Sequence, residues 1–488
     1  MRIHQFRVAM VILSAAFPRM AASKQQMPDM PQEHAQHHHA EIPPLQAVYP
    51  HMGLAQEHPE GALFTLDQAQ RIAGDSNPTL RQAQAEIRAA KAHQQQSGLY
   101  PNPSVGYTGD EIRGGSINGG KQGFFLEETI VTGGKLGKSR EVYAQEIRIA
   151  EMETEEQKLR VESAVKTAFL RVLAAQELLE VRRELGRINQ DYADTQRQLF
   201  NTGQADETEV LDAEVEAQRL RIAARMQENT LREEWRSLAA VIGRPDLPQA
   251  TVSGDLERNW PELNEEQAVE QLAAQSPATR IADATATRAQ AEIVRARSQI
   301  IPDVQLRGGL QYNNEPLGSA PHAIGWEGLA EVNVQLPLFN RNQGNVAAAN
   351  AELDRAQLEK QRVALTLRER ATSIVDQYAN AKLMATAYRD ELLPRATKAY
   401  TLMFQKYGLM LAAYPRVIQS QRKLFDLQAE YIAALENVWT TGIALQGFLL
   451  TDGLEAPARP GDIDRPVRET NVPSPERMMS PSDSMPRP

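Results

Sequence analysis

Residues 77–105 read NPTLRQAQAEIRAAKAHQQQSGLYPNPSV, and residues 276–304 read SPATRIADATATRAQAEIVRARSQIIPDV. Each stretch opens on a polar residue and a proline. Each then runs through residues rich in Ala, Gln and Arg, and closes on Pro103-Ser104-Val105 or Pro302-Asp303-Val304. One offset of 199 residues maps Pro78 onto Pro277, Pro103 onto Pro302, and Gln68-Ala69 onto Gln267-Ala268. Proline lacks an N–H and disfavours helix in the residue before it. Each stretch therefore predicts a helix that stops at a proline and passes into a strand. Self-similarity on this scale predicts a doubled fold.

Outward from the first copy, Thr65-Leu66-Asp67-Gln68 predicts a capped helix that breaks at Pro78. Ser104 to Ile112 and Gln122 to Val131 predict two strands around a Gly-rich turn at 114–120. Gly133-Gly134 then opens a long helix, Lys135 to Phe200, on the order of 100 Å at 1.5 Å per residue. Val161, Val165, Ala168, Val172, Ala175 and Leu179 step by four and three, as a coiled coil requires. Leu178, Val181, Leu185, Ile188 and Tyr192 form a second, stuttered phase. Gly203 breaks the helix, and Thr208 to Ile242 returns to complete a helical hairpin.

The second half repeats the plan. A helix from Glu265 to Ile300 is interrupted near Pro277. Val304, Leu306, Gly308, Leu310 and Tyr312 alternate along one strand, and Trp326, Gly328, Ala330, Val332, Val334 and Leu336 along the next. A long helix follows, Asn345 to Lys406, with a seam of Ile374, Tyr378, Ala381, Ala385, Tyr388 and Leu392 and an expected kink at Pro394. Gly408 is expected to make the second turn before Tyr414 to Leu450 returns. The domain reading is a signal peptide at 1–22, a disordered His/Met-rich segment at 23–63 and the first repeat at 64–243. A linker at 244–262, the second repeat at 263–451 and a disordered Pro/Ser-rich tail at 452–488 follow.

The 488 residues carry a net charge of −10, which argues against nucleic acid as a partner. With no cysteine, disulfides, thiolate metal sites, a cysteine nucleophile and lipid attachment through an N-terminal cysteine are excluded. Arg2 and Arg7, an apolar core from Val8 to Phe17 and Ala21-Ala22-Ser23 make an export signal. No later segment has the ~20 apolar residues of a membrane helix. Each strand pair, however, has one apolar and one polar or small face, over lengths that suit a tilted bilayer crossing. Two hairpins cannot close a barrel. The economical fold pools hairpins from several identical chains in one barrel, with the helical hairpins continuing the tube in water. The alternative is a soluble helical protein with two small hairpins. Asp110, Glu111, Arg113, Glu127 and Glu128 make the barrel pattern weaker in the first repeat.

The doubled helix–strand–strand–helix–helix plan over about residues 64–450 resembles the TolC-like outer-membrane efflux factors, within them the heavy-metal (CzcC/CusC-like) branch. The likeness rests on Asn77-Pro78 with Pro101-Asn102-Pro103, and on Gln335-Leu336-Pro337-Leu338-Phe339 before the second long helix. The turns Phe200-Asn201-Thr202-Gly203 and Lys406-Tyr407-Gly408 add to it. The resemblance implies a mainly α fold with a small β part: a homotrimer with a 12-stranded outer-membrane β-barrel and a periplasmic coiled-coil tunnel. It implies a periplasmic adaptor (membrane fusion) protein and a proton-driven inner-membrane pump of the RND type as partners. It also implies a conduit in the lipid of the outer membrane with no cofactor and no catalysis.

In that family the hairpin tips meet the adaptor and narrow the tunnel. Carried over, the first tip is Gly203, Thr208, Glu209, Val210, Leu211 and Asp212, and the second is Gly408, Tyr414, Arg416 and Val417. Glu209 and Asp212, three apart, share a helix face and would form an acidic ring around a threefold axis. The alternative is a solvated helix start, where acids favour the positive dipole end. Arg416 stands where an acid is found in some relatives, and it is a candidate partner for Glu209 or Asp212. Met27, Met30, His34, His37, His38 and His39 are candidates for transient metal binding. Mixed imidazole and thioether leans towards copper or silver, with zinc, cobalt and cadmium open; the alternative is incidental histidine. Rival functions are a channel for drugs, organic solutes or type I secretion, and a soluble periplasmic adaptor or metal-binding protein.

Overall fold

The computed structural model describes residues 63–112, 120–316 and 322–457. The expected signal peptide, the His/Met segment up to residue 62 and the tail from 458 lie outside the described residues. In the first repeat α1 is Leu66–Ser76, α2 Pro78–Ser97, β1 Ser104–Asp110, β2 Lys121–Ile130, α3 Lys135–Asn201 and α4 Glu207–Ile242. In the second, α5 is Glu265–Gln275, α6 Pro277–Ser298, β3 Val304–Pro316, β4 Ala323–Val334 and α7 Gln343–Ala387. A π-helical turn at Tyr388–Leu392, α8 (Leu393–Gly408) and α9 (Tyr414–Gln446) complete it.

Local chemistry accounts for the breaks. Gln68 N–H donates to Thr65 Oγ1 at 3.3 Å and Thr65 N–H to Gln68 Oε1 at 3.1 Å, a capping box for α1. Asn77 and Ser276 cap α2 and α6, each followed by proline at the first helical position. Asn77 is fully buried, and its amide donates to the Val241 carbonyl at 2.7 Å. Gly134 and Asn342 hold left-handed backbone where β2 and β4 feed the two long helices; glycine and asparagine are the residues that tolerate it.

The spine is α3, which packs on α2, α4, α6 and α9. Val161, Val165, Ala168, Val172, Ala175 and Leu179 are all buried as expected. Each buried valine or leucine contributes roughly 1.5–3 kcal/mol. The second phase is different. Leu178, Ile188 and Tyr192 are half-buried, and the buried line runs through Val181, Leu185, Asn189, Ala193 and Gln196. From Val181 to Ala193 the stripe thus drifts by steps of four towards α4, whose Ala213 and Ala217 close on Ala193.

Three regions gain detail in the structure. At Pro394, where a kink is expected, a π-helical turn just ahead of the proline absorbs one extra residue, and helix resumes as α8. Residues 244–262, which join the repeats, are held on the folded body. Phe64 bridges Val252, the Tyr378 hydroxyl donates to the Pro261 carbonyl, and Trp439 Nε1 donates to the Leu256 carbonyl at 2.8 Å. Residues 452–457, read as tail, join the folded body: the Gly453 carbonyl accepts from Asn77 and the Glu455 carboxylate pairs with Arg160.

All four strands form one antiparallel sheet in the order β1-β2-β3-β4. The β2–β3 ladder joins the repeats from Ile130↔Val304 to Lys121↔Asn313. At its helical end Lys135 pairs with Asp303 at 2.9 Å. Within the described chain β1 and β4 are edges with open backbone groups.

Candidate functional site

The sheet has two chemically distinct faces, because side chains alternate along every strand. On one face Val105, Tyr107, Phe124, Leu126, Leu310, Trp326 and Val332 lie between 53% and 77% exposed. Tyr107 and Phe124 meet edge-on at 5.9 Å, and Tyr312 and Trp326 at 5.5 Å. This aromatic row lies towards the strand ends farthest from the helices, as an interfacial girdle does. The other face carries Glu127, Arg307, Gln311, Glu327, Glu331 and Asn333. Glu127, a weak point of the sequence pattern, belongs to this polar face; Glu128 remains on the apolar one.

The two helical hairpins end in the same hydrogen-bond motif. At the first tip Gly203 N–H donates to the Phe200 carbonyl at 2.9 Å and Gln204 N–H to Leu199 at 2.8 Å. At the second, Met410 N–H donates to Tyr407 at 2.9 Å and Leu411 N–H to Lys406 at 2.8 Å. Both are Schellman caps, which need a left-handed residue. Gly203 supplies it at φ +74, and Met410 at φ +59. Gly408 was expected to make the second turn, but it is the last residue of α8. The turn is Leu409-Met410-Leu411, whose side chains are 69%, 92% and 74% exposed. This apolar knob was missed in the sequence. Gly408 lies close to the turn, but the capping register falls two residues later, on Met410.

Asp206 caps α4 and accepts from Thr208 N–H at 2.7 Å and Glu209 N–H at 3.0 Å. These backbone bonds hold its carboxyl below the usual range. Thr208, Glu209, Leu211 and Asp212 are exposed, while Val210 and Val417 are buried. The Tyr192 ring of α3 lies tilted against Tyr414 at 4.7 Å, and Tyr414 against Tyr407 at 4.9 Å. Burial pushes the Tyr414 phenol up to about 12. Burial and then the Glu209 carboxylate raise that of Tyr192, with Asp212 a smaller contributor. The fold therefore gathers Tyr192, Tyr407, Tyr414, Glu209 and Asp212 where the two hairpins meet.

Arg416 is exposed and, among the described residues, makes no ion pair with Glu209 or Asp212. The hairpins are instead bridged by Arg422 and Glu216 at 3.1 Å. Arg416 is in the first turn of α9, two residues after Tyr414, whereas Arg422 lies six residues further, alongside α4. Met27, Met30, His34, His37, His38 and His39 lie outside the described residues. Among the described residues no group of three His, Asp or Glu is placed to hold a metal, and no helix is long and apolar enough to cross a membrane.

The cobalt-zinc-cadmium resistance protein CzcC of Cupriavidus metallidurans is 23% identical over 390 residues, covering 79% of this chain and 90% of that protein. The crystal structure of CusC matches with a TM-score of 0.64 at 17% identity, over 81% of this chain and 95% of that one. The outer membrane protein VceC of Vibrio cholerae matches with a TM-score of 0.59 at 17% identity, over 80% and 97%. A family model for outer membrane efflux proteins matches residues 71–244 and 268–449, both repeats. The chain belongs to the outer membrane efflux protein family.

Proposed function

We propose that this chain is the outer-membrane channel of a pump–adaptor–channel system that exports heavy-metal cations. The observation that carries the reading is the four-stranded sheet, with its exposed apolar face, polar opposite face and two open edges. Such a sheet is unstable alone in water and in lipid, where every backbone group needs a partner. Three copies, pairing β4 of one with β1 of the next, close a twelve-stranded barrel with a polar lumen. The helical hairpins then extend away from the membrane as a tunnel in the periplasm.

The tips fit the docking role. Gly203, Thr208, Glu209 and Asp212 present a polar first tip, with Leu211 exposed among them. Gly408, Leu409, Met410 and Leu411 present an apolar second one, with Arg416 beside it. An adaptor with paired apolar and polar helix ends is the partner these tips suit, and through it an inner-membrane pump. Glu209 and Asp212 stand at the tunnel mouth as an acidic ring. The choice of heavy metals as cargo is supported by the likeness to the cobalt-zinc-cadmium resistance protein along 90% of its length.

The test is fractionation together with a deletion strain. The reading requires a heat-resistant trimer in the outer-membrane fraction and hypersensitivity to cobalt, zinc, cadmium or copper on deletion. Release of the protein by osmotic shock overturns the channel. Sensitivity to organic drugs with unchanged metal tolerance replaces the cargo.

A further inference from the structure

The polar face of the sheet is layered. Strand register places Ser104, Glu127, Arg307 and Glu331 side by side in one layer. The next layer away from the helices is Gly106, Phe125, Gly309 and Leu329. Beyond it lie Thr108, Gly123, Gln311 and Glu327. A charged layer therefore borders an apolar one on a face that is otherwise polar.

Arg307 is fixed between its neighbours. Its guanidinium carbon lies 3.7 Å from the centre of the Phe125 ring, and a guanidinium nitrogen lies 3.7 Å from the Glu331 carboxylate. The ring lies over Gly106, where a Cβ would sit 2.4 Å from Phe125 Cζ, while a Cβ on Gly309 would meet the Phe124 carbonyl oxygen at 2.5 Å. Phe125 thus occupies the space that Gly106 leaves open, and Arg307 rests on its face. Cation–π contact favours a guanidinium in that position over one extended into solvent. The layer holds two carboxylates and one guanidinium, a net charge of −1 per chain.

We infer that the Glu127–Arg307–Glu331 layer is the charge-selecting belt of the barrel lumen. Arg307, held on Phe125, is the counter-charge that keeps the belt from binding small cations too tightly. The inference rests on the barrel reading above. Rings of carboxylates favour cations, and conduction requires that a passing ion also leave. Removing one guanidinium per chain deepens the negative potential by three charges per trimer. Removing Glu331 makes it shallower by three.

The absence of cysteine makes a background-free test available. Gln305→Cys places a reporter on the polar face, one layer nearer the helices than Arg307; Leu310→Cys places one on the apolar face. The full-length protein is reconstituted in liposomes. Labelling rates are measured with a trimethylammonium-ethyl and a sulfonatoethyl methanethiosulfonate, each divided by the rate with neutral methyl methanethiosulfonate.

The cation-to-anion ratio at Gln305→Cys should rise on the order of threefold in Arg307→Gln at low salt and fall similarly in Glu331→Gln. Arg307→Lys should restore it, and added salt should shrink every difference. A merely structural Arg307 would leave the ratio unmoved. An unchanged ratio in both Arg307→Gln and Glu331→Gln, with Gln305→Cys still labelled faster than Leu310→Cys, overturns the belt and leaves the barrel standing. Equal labelling at Gln305→Cys and Leu310→Cys overturns the barrel, and the belt with it.

Discussion

The guanidinium of Arg160, 2% exposed, is paired with the carboxylate of Glu455, 295 residues further along the chain. The Glu455 carbonyl also accepts from the Gln157 amide at 3.0 Å. Together these contacts stitch the last described segment onto the middle of α3. Arg160 has a second carboxylate, Glu156, at 2.6 Å. Glu455→Ala therefore leaves the buried cation partly compensated and should cost about 2 kcal/mol, less than a fully orphaned buried charge. Thermal unfolding of the purified protein measures this. An unshifted midpoint would mean the pair contributes nothing.

Leu392 is 39% exposed and Leu393 only 7%. The seam of Ile374, Tyr378, Ala381 and Ala385 would continue to Leu392 in an unbroken α-helix, but the π-helical turn advances the buried face by one residue. Leu393→Ala should cost about 2–4 kcal/mol as a core truncation, and Leu392→Ala about 0.5 kcal/mol or less. Equal effects at the two sites would mean that the buried face does not shift at this turn.

Elements decided by local chemistry were legible in the sequence. Pro78 and Pro277 start helices for the same reason in both repeats, and strict alternation along β3 and β4 dictated two faces before any partner strand was known. Burial of Val165, Val172 and Ala175 followed from period alone. What escaped depends on distant partners or on one-residue bookkeeping. Nothing near Pro261 signals that it accepts a bond from Tyr378. Nothing near Glu455 signals Arg160. The π-helical turn changes a phase without changing composition. At the tips the acids were legible as residues. Their meeting with Tyr192, Tyr407 and Tyr414 was not, because three aromatics from two hairpins converge only after both have folded.

Glu177 gives a pH dependence with a definite sign. Burial, reinforced by the Glu257, Asp255 and Glu180 carboxylates, pushes its carboxyl from the ordinary 4.5 up to about 8. Between these values the folded chain keeps a proton that the unfolded chain releases. Stability from this group is thus full below pH 4.5, falls as pH rises, and levels off above about 8. Glu177→Gln should flatten that slope and stabilise the protein at pH 8 to 9 relative to the parent. Melting temperatures of the two proteins across pH 5 to 9 decide it; parallel curves would rule Glu177 out as the source.

Met410 has the left-handed backbone of a glycine and the most exposed apolar side chain of its turn. A non-glycine residue costs roughly 1–2 kcal/mol there. Gly203 occupies the same capping position in the first hairpin without that cost. Met410→Gly should therefore stabilise the isolated protein by about 1 kcal/mol. If the Leu409-Met410-Leu411 knob docks on the adaptor, the same change removes its central contact. A more stable channel should then give weaker metal resistance at equal amounts in the outer membrane. Unfolding of the purified protein and growth on graded zinc or cobalt measure the two halves separately. Greater stability with undiminished resistance would mean that the knob faces solvent in the working assembly, and that docking falls to the polar tip around Gly203, Glu209 and Asp212.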